Sequence, residues 1–308
     1  KPLNNNDFIF LINPKNKCNS YDGTIRLVYL IKSAIINFNR RLAIRHTWGY
    51  EKRFSDVVIR TVFILGIDNT NLNLQRKIEE ENYKFGDIVQ ANFVDNYFNN
   101  TLKTVSGLKW AVEYCYNSRF IFFSDDDFYI STKNVLRFIR NPLEYPKYLE
   151  LPVSTKNNTL NFSKNYQSNK KLQFLDIDLP VDVKLFAGYV FVSSPHRHQT
   201  SKWYTSLSEY PYHLWPPYLT AGAYVMSKQA LLDLYYGSFY TKYFRFDDIY
   251  LGLVANKVGI EPFHSNDFYF YKKDYSVEGY QYVIASHGYN DINELMEVWN
   301  NQKAAGNA

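Results

Sequence analysis

The chain has 308 residues, 46% of them hydrophobic, which is ample for a large core in one or two domains. Its formal net charge of +5, from 35 Lys and Arg against 30 Asp and Glu, is too slight an excess to argue nucleic-acid binding, though it suits an anionic nucleotide substrate. Two cysteines without a CxxC pair argue against a zinc or thioredoxin-like site, and no apolar stretch approaches the roughly 18–20 residues that a membrane helix needs. Strand-like and helix-like segments then alternate along the chain, which predicts an α/β fold. Residues 27–31 read as a buried strand, 40–47 as a basic helix, and 61–65 as a second strand closed by Gly66. A charged helix follows over 74–83 and a third strand over 87–93. The helix at 101–116 carries Leu102, Val105, Leu108 and Val112 on one face. Next come a strand at 119–123 and a helix at 132–139. Residues 141–171, with Pro142, Pro146, Pro152 and many Asn, Ser and Lys, read as a mobile loop or insertion. The second half opens with a strand at 185–192 and an aromatic loop at 203–218. A strand at 220–227 ends in Ser227 as a helix cap, with a helix to Tyr235 behind it. The last predicted helix, 247–257, has Asp247 and Asp248 in its first turn, where the macrodipole favours acids.

The most informative feature is Asp125-Asp126-Asp127 at the end of the apolar run 119–123. Three adjacent carboxylates repel one another and are tolerable in water or around a cation. Ligands of open α/β sheets bind at the C-terminal ends of strands. Alternation along an extended backbone lets Asp125 and Asp127 face one ion while Asp126 faces elsewhere. Hard oxygen ligands suit Mg²⁺ or Mn²⁺, which typically bridge protein to phosphate oxygens. The alternative is a solvated acidic turn.

Other residues carry two readings each. Asp247 and Asp248 are paired carboxylates suited to acid–base work, or helix-capping charges. Arg41 and Arg45, at i and i+4, can approach phosphates as a pair, or form a surface basic stripe. Lys103 shares that ambiguity. Among six histidines, His287 in Ala285-Ser-His-Gly288 is the best ligand candidate and His264 its competitor. Gly222 marks a close backbone approach. Trp203, Tyr204, Trp215 and Tyr218 could stack on sugar faces or fill core, and Trp48 and Trp110 are assigned to the core. Three sequons, beginning at Asn99, Asn157 and Asn161, tilt the reading toward the secretory pathway. No signal peptide opens the chain, as in a mature or trimmed lumenal domain or in a cytosolic protein.

Several short blocks occur in order: Arg40-Arg-Leu-Ala-Ile-Arg-His-Thr-Trp-Gly49, Phe63-Ile-Leu-Gly66, Gly86-Asp87-Ile88, Phe93-Val-Asp95-Asn-Tyr97 and Asn100-Thr-Leu-Lys-Thr104. Trp110, Cys115, the Asp triplet, Ala221-Gly-Ala-Tyr-Val-Met-Ser227 and Phe246-Asp-Asp-Ile249 with Gly252 complete the set. From about 27 to about 260 the series resembles the β-1,3-glycosyltransferases of glycosyltransferase family 31. The segments 246–252 and 285–288 look most like the brainiac-type glycolipid enzymes. The resemblance implies a single GT-A domain over 1–308, Rossmann-like, with a mixed central sheet flanked by helices. A UDP-sugar-binding half is expected at about 20–130 and an acceptor-binding and catalytic half at about 180–290.

The resemblance also implies an inverting, metal-dependent β-1,3 transfer of N-acetylglucosamine or galactose from a UDP-sugar to a glycolipid or glycoprotein glycan. Asp127 would be the principal contact to Mn²⁺ or Mg²⁺, with Asp125 supporting it, His287 closing the site and Asp126 near the ribose or sugar. Asp248 would be the base and Asp247 a supporting acid, where the family usually has Glu-Asp. Arg41, Arg45 and Lys103 lean toward the nucleotide, and Gly222 with Tyr224 toward the donor-sugar or acceptor pocket. Asn100 departs from the family's Leu in that block, which creates the Asn99 sequon. Cys115 matches a family cysteine, so a Cys18–Cys115 disulfide is expected, in a Golgi-lumenal protein held by an N-terminal type II anchor. A lumenal glycan-binding module on the same scaffold would need neither the triplet nor the Asp247-Asp248 pair. A nucleotidyltransferase would be expected to show a more basic or Gly-rich loop, and none is evident.

Overall fold

A computed structural model describes residues 1–19, 23–150 and 179–308. In chain order its strands are β1 (Phe10–Ile12), β2 (Ile25–Lys32), β3 (Ile59–Ile67), β4 (Ile88–Val94), β5 (Ser118–Asp125), β6 (Phe128–Ile130), β7 (Phe186–Phe191), β8 (Tyr218–Ser227), β9 (Phe263–His264), β10 (Phe268–Tyr269) and β11 (Ala285–His287). The helices are α1 (Phe38–His46), α2 (Leu72–Phe85), α3 (Asn100–Tyr114), α4 (Thr132–Phe138), α5 (Lys147–Glu150), α6 (Lys228–Ser238), α7 (Asp247–Lys257) and α8 (Ile292–Ala304).

The main sheet runs β1-β4-β3-β2-β5-β8-β7-β9, so it joins strands from both halves of the chain. β4, β3, β2 and β5 are parallel neighbours, while β8 runs antiparallel to both β5 and β7. A continuously apolar strand is one buried on both faces. β2 shows this directly: Tyr29 and Ile31 enter one core cluster while Val28 and Leu30 enter the other. A small second sheet, β10-β11-β6, lies beyond the end of β5.

The parallel register sets Lys32, the last residue of β2, opposite Asp125, the last of β5. Across β5, Ser124 pairs with Ala223 of β8. β2 and β5 therefore end together beside the middle of β8, and α7 begins next to them. Cys18 and Cys115 are joined by a disulfide with Cα atoms 5.1 Å apart, which ties the N-terminal segment to the C-cap of α3.

Two expectations change. Gly66 does not close β3 but lies inside it: a Cβ there would meet the Phe93 carbonyl oxygen at 2.6 Å, so the glycine admits the neighbouring chain. The front of the expected mobile segment is packed: Tyr145 is buried and its hydroxyl donates to the Tyr282 carbonyl at 2.7 Å. The remainder, 151–171, and the Asn157 and Asn161 sequons lie outside the described residues. Trp48 and Trp110 are core residues as expected, each indole N–H satisfied, by Phe128 O at 3.0 Å and by Asn13 Oδ1 at 2.9 Å.

Candidate active site

The Asp triplet forms the turn between β5 and β6, and its carboxylates go to different partners. Asp126 is buried and accepts from Ser33 Oγ at 2.6 Å, Asn37 Nδ2 at 2.9 Å and Arg40 Nη1 at 3.0 Å. It thereby orders the β2–α1 connection. Asp127 lies 3.3 Å from His287 Nε2 through Oδ2, while its Oδ1 is buried without a hydrogen-bond partner. Burial raises the Asp127 carboxyl, but the hydrogen bond and charge of His287 and the charge of Arg40 outweigh that, and the net shift is downward. His287 is raised in return, chiefly by its hydrogen bond to Asp127. The antiparallel pairing of β6 with β11, which sets Phe128 opposite His287, makes this pair.

Asp125 faces elsewhere. Lys32 Nζ lies 3.1 Å from Asp125 Oδ1, 2.7 Å from Asp247 Oδ2 and 3.0 Å from the Ala221 carbonyl oxygen. Loss of water around Asp125, with Asp127 and Asp247 nearby, pushes its carboxyl up to about 6 against the opposing pull of Lys32. Asp247 is buried and also accepts from Thr104 Oγ1 at 2.9 Å. Burial raises it, but Lys32 and these hydrogen bonds bring it below the usual carboxylate range. Its neighbour Asp248 feels the charge of Lys32 only as a minor opposing pull. Burial first, and the charge of Asp247 second, push Asp248 up to about 7. The Ile249 amide donates to its Oδ1 at 2.7 Å. Two adjacent carboxylates are thus driven apart, one held ionised and one poised near neutrality, as acid–base pairs in catalytic sites are.

The donors fit a hard divalent cation in kind. A buried carboxylate oxygen without a donor, next to an imidazole nitrogen, is a costly arrangement that a cation would satisfy. The three expected ligands are not assembled as one set, however. Among the described residues no three His, Cys, Asp or Glu side chains converge with metal-holding geometry, and Asp125 is paired with Lys32.

Several expected contacts are corrected. Arg41 is fully buried: it binds Glu81 through Nε and Nη2, and Ser33 Oγ and the Ala34 and Ile35 carbonyls through its other donors. Arg45 bridges Glu81 at 2.7 Å and Asp87 at 2.8 Å. Neither is a phosphate contact nor a surface stripe, because α2 and the α2–β4 turn supply buried counter-charges. Lys103 is buried on Asp95 at 2.7 Å and the Ser33 carbonyl at 2.8 Å. A Cβ at Gly222 would meet the Phe128 ring at 2.4 Å and Asp125 Oδ2 at 3.6 Å, so the glycine admits that ring beside the cleft. Tyr224 is buried and stacked on Phe123 at 5.2 Å, on the core side of β8. His264 accepts from the Val190 amide at 3.1 Å and is no rival to His287. Trp215 is buried, whereas Trp203 is 51% exposed.

Two cations of the cleft escape sequence reasoning. Lys32 sits one residue past a run that reads as plain apolar strand. Arg40, 27% exposed, joins Asp126 to Asn290 Oδ1 at 2.8 Å, and it is the arginine of the Arg40-Arg41 pair that turns to the triplet. Its position one step from Arg41 on α1 was the available signal.

The family model described as Galactosyltransferase matches residues 39–179 and 169–266. The Drosophila melanogaster protein named Beta-1,3-galactosyltransferase brn is 44% identical over 288 residues, covering 93% of this chain and 77% of its own. Human Beta-1,3-galactosyltransferase 1 is 30% identical over 304 residues, 99% of this chain and 81% of its own. The pig protein named UDP-GalNAc:beta-1,3-N-acetylgalactosaminyltransferase 1 is 28% identical over 305 residues, 97% and 80% of the two chains. With this match and its mixed, helix-flanked sheet of GT-A type, the chain belongs to the galactosyltransferase family, glycosyltransferase family 31, in its brainiac-like branch.

Proposed function

We propose that this protein is an inverting β-1,3-glycosyltransferase that moves galactose or N-acetylglucosamine from a UDP-sugar to a hydroxyl of a glycolipid or glycoprotein glycan, with Mn²⁺ or Mg²⁺ as cofactor. One observation carries the reading. Asp248, its carboxyl near neutrality, opens a helix whose first residue is tied through Lys32 to the strand that ends in the triplet. A base near neutral pH and an anion-handling turn are what transfer from a nucleoside diphosphate sugar requires.

Asp248 takes the proton of the acceptor hydroxyl. That oxygen forms the new bond to the anomeric carbon as the bond from that carbon to the UDP oxygen breaks. Asp247, held ionised, keeps Asp248 basic and fixes the start of α7. A cation held by Asp127 and His287 would neutralise the departing diphosphate. Arg40 lies beside that pair.

The names of the relatives support a galactose-type donor. The disulfide suits an oxidising, Golgi-lumenal setting. Among the described residues no helix is long and apolar enough to cross a membrane, so a type II anchor would lie outside these helices. The test is turnover of UDP-galactose, UDP-N-acetylglucosamine and UDP-N-acetylgalactosamine with and without Mn²⁺. Metal-dependent use of one donor supports the reading. Glycan binding with no turnover of any donor would leave a carbohydrate-binding module.

A further inference from the structure

We propose that the aromatic cluster of Tyr189, Phe191 and Phe270, joined through Tyr218 to the helix that carries Asp248, is the subsite for the second sugar of a neutral glycan acceptor. The inference rests on the transfer reading and goes further by naming what selects the acceptor. The cluster starts at the proposed base. A Cβ at Gly252 of α7 would meet Tyr218 Cβ at 2.6 Å, so this glycine lets the first residue of β8 lie against the helix one turn after Asp248. Burial raises the Tyr218 hydroxyl, its hydrogen bond with Ser193 Oγ at 2.9 Å opposes this, and the charge of Asp248 adds to the rise. Tyr218 is therefore within electrostatic reach of Asp248.

From Tyr218 the rings continue without a break. The antiparallel β7–β8 register sets Phe191 opposite Tyr218, with centroids 5.8 Å apart and planes 27° apart. Tyr189, two residues back on β7, meets Phe191 at 5.1 Å. Phe270, just past β10, closes a triangle with them, 4.8 Å from Phe191 and 4.7 Å from Tyr189. Tyr189 and Phe191 are half-buried and Phe270 is 39% exposed, so the triangle keeps an open side, unlike rings that fill a core. The chemistry selects the occupant. Ring faces are electron-rich and attract the weakly positive C–H groups on the apolar face of a sugar. Sugar hydroxyls need polar neighbours, which Ser193 and His264, its ring 5.0 Å from Tyr189, supply at the rim. Residues 185–196, β7 and its flanks, contain no Asp, Glu, Lys or Arg, so this strand offers a charged sugar no counter-ion. Tyr218 links base to triangle: the sugar at Asp248 meets Tyr218, and the next sugar along meets the three rings.

Transfer kinetics test the subsite, with the methyl glycosides of glucose, galactose and mannose and of β-1,4-linked disaccharides of the same sugars as acceptors. A disaccharide should have a lower KM than its terminal monosaccharide. Phe270→Ala and Phe191→Ala should each raise the disaccharide KM about three- to tenfold, the scale of one lost ring contact, with kcat unchanged. The monosaccharide KM and UDP affinity in Mn²⁺ should stay at wild type in both. Phe270→Tyr keeps the ring and should behave as wild type. A wild-type disaccharide KM in both Ala variants overturns the proposal, and so does an equal rise for monosaccharide and disaccharide. If Phe191→Ala fails to fold, Phe270→Ala, at an exposed ring, decides. Should no glycoside accept a sugar, the transfer reading fails separately, and saturation-transfer NMR of the disaccharide glycosides decides the subsite. Contact in wild type that weakens in Phe270→Ala supports it, and no contact overturns it. Pelleting with phosphatidylcholine vesicles that is lost in Phe270→Ala, with glycan binding unchanged, makes the cluster a membrane contact and also overturns it.

Discussion

Lys32 Nζ lies 2.7 Å from Asp247 Oδ2, and both side chains are under 10% exposed. This contact joins the end of β2 to the first turn of α7 across 215 residues of sequence. Removing one partner of a buried ion pair leaves the other charge uncompensated, at a cost of about 3–5 kcal/mol. Lys32→Met should therefore lower unfolding free energy on that scale in denaturant titration. Lys32→Met combined with Asp247→Asn should recover part of the loss. Strict additivity of the two single substitutions would show that the contact carries no coupling.

A second buried network holds α1 against α2. Arg41, fully buried, pairs with Glu81, and Arg45 spans Glu81 and Asp87. Glu81→Gln should destabilise by about 3–5 kcal/mol, because two guanidinium groups lose a shared carboxylate. UDP affinity of the folded protein should stay near wild type, since neither arginine turns to the cleft. A large loss of UDP affinity with unchanged stability would restore the phosphate-binding role.

The local parts of this architecture were legible in the sequence. An apolar run stopped by three Asp marks a strand end whatever surrounds it, and α7 spans 247–257 as its first-turn acids suggest. What stayed hidden depends on neighbours far along the chain. An i, i+4 arginine pair looks the same on a surface as in a core; Glu81 and Asp87, some 40 positions away, decide the matter. Lys32 reads as the polar end of a strand until β5 and α7 arrive on either side. β6 and β11, three residues each, are too short for periodicity to register, and their pairing is what brings His287 to Asp127. α8 is a different case: Leu295, Val298, Trp299 and Gln302 are buried at helical spacing, a signal that was present.

Asp127 Oδ1 is buried without a donor. Removing the carboxylate gives up no hydrogen bond at Oδ1 and, at Oδ2, a contact to the part-exposed His287 worth about 1 kcal/mol or less, so the stability cost should be small. Adding Mn²⁺ and UDP should raise the wild-type melting temperature, by the linkage of ligand binding to folding. Asp127→Ala should abolish that increase while its unfolding stays cooperative. An equal increase in the variant would remove Asp127 from the metal site.

Asp248 and Asp247 are adjacent, yet burial and repulsion push Asp248 up to about 7 while Lys32 holds Asp247 down. A general base works ionised, so kcat/KM should rise about tenfold per pH unit below about 7 and level off above it. Asp248→Asn keeps the size of the side chain, and its amide oxygen can still accept from the Ile249 N–H. It cannot take a proton, so turnover should fall by roughly 10²–10⁴-fold. UDP affinity should change little. The stability consequence has a definite sign. A carboxyl raised in the folded state favours the protonated form, so its contribution is full below about pH 4 and lost as pH rises through about 7. The neutral Asn escapes that loss, and the variant should melt at or above the wild-type temperature at pH 8. Near-wild-type turnover in Asp248→Asn would return the residue to a helix-capping role. Loss of activity together with a lower melting temperature at pH 8 would make its role structural.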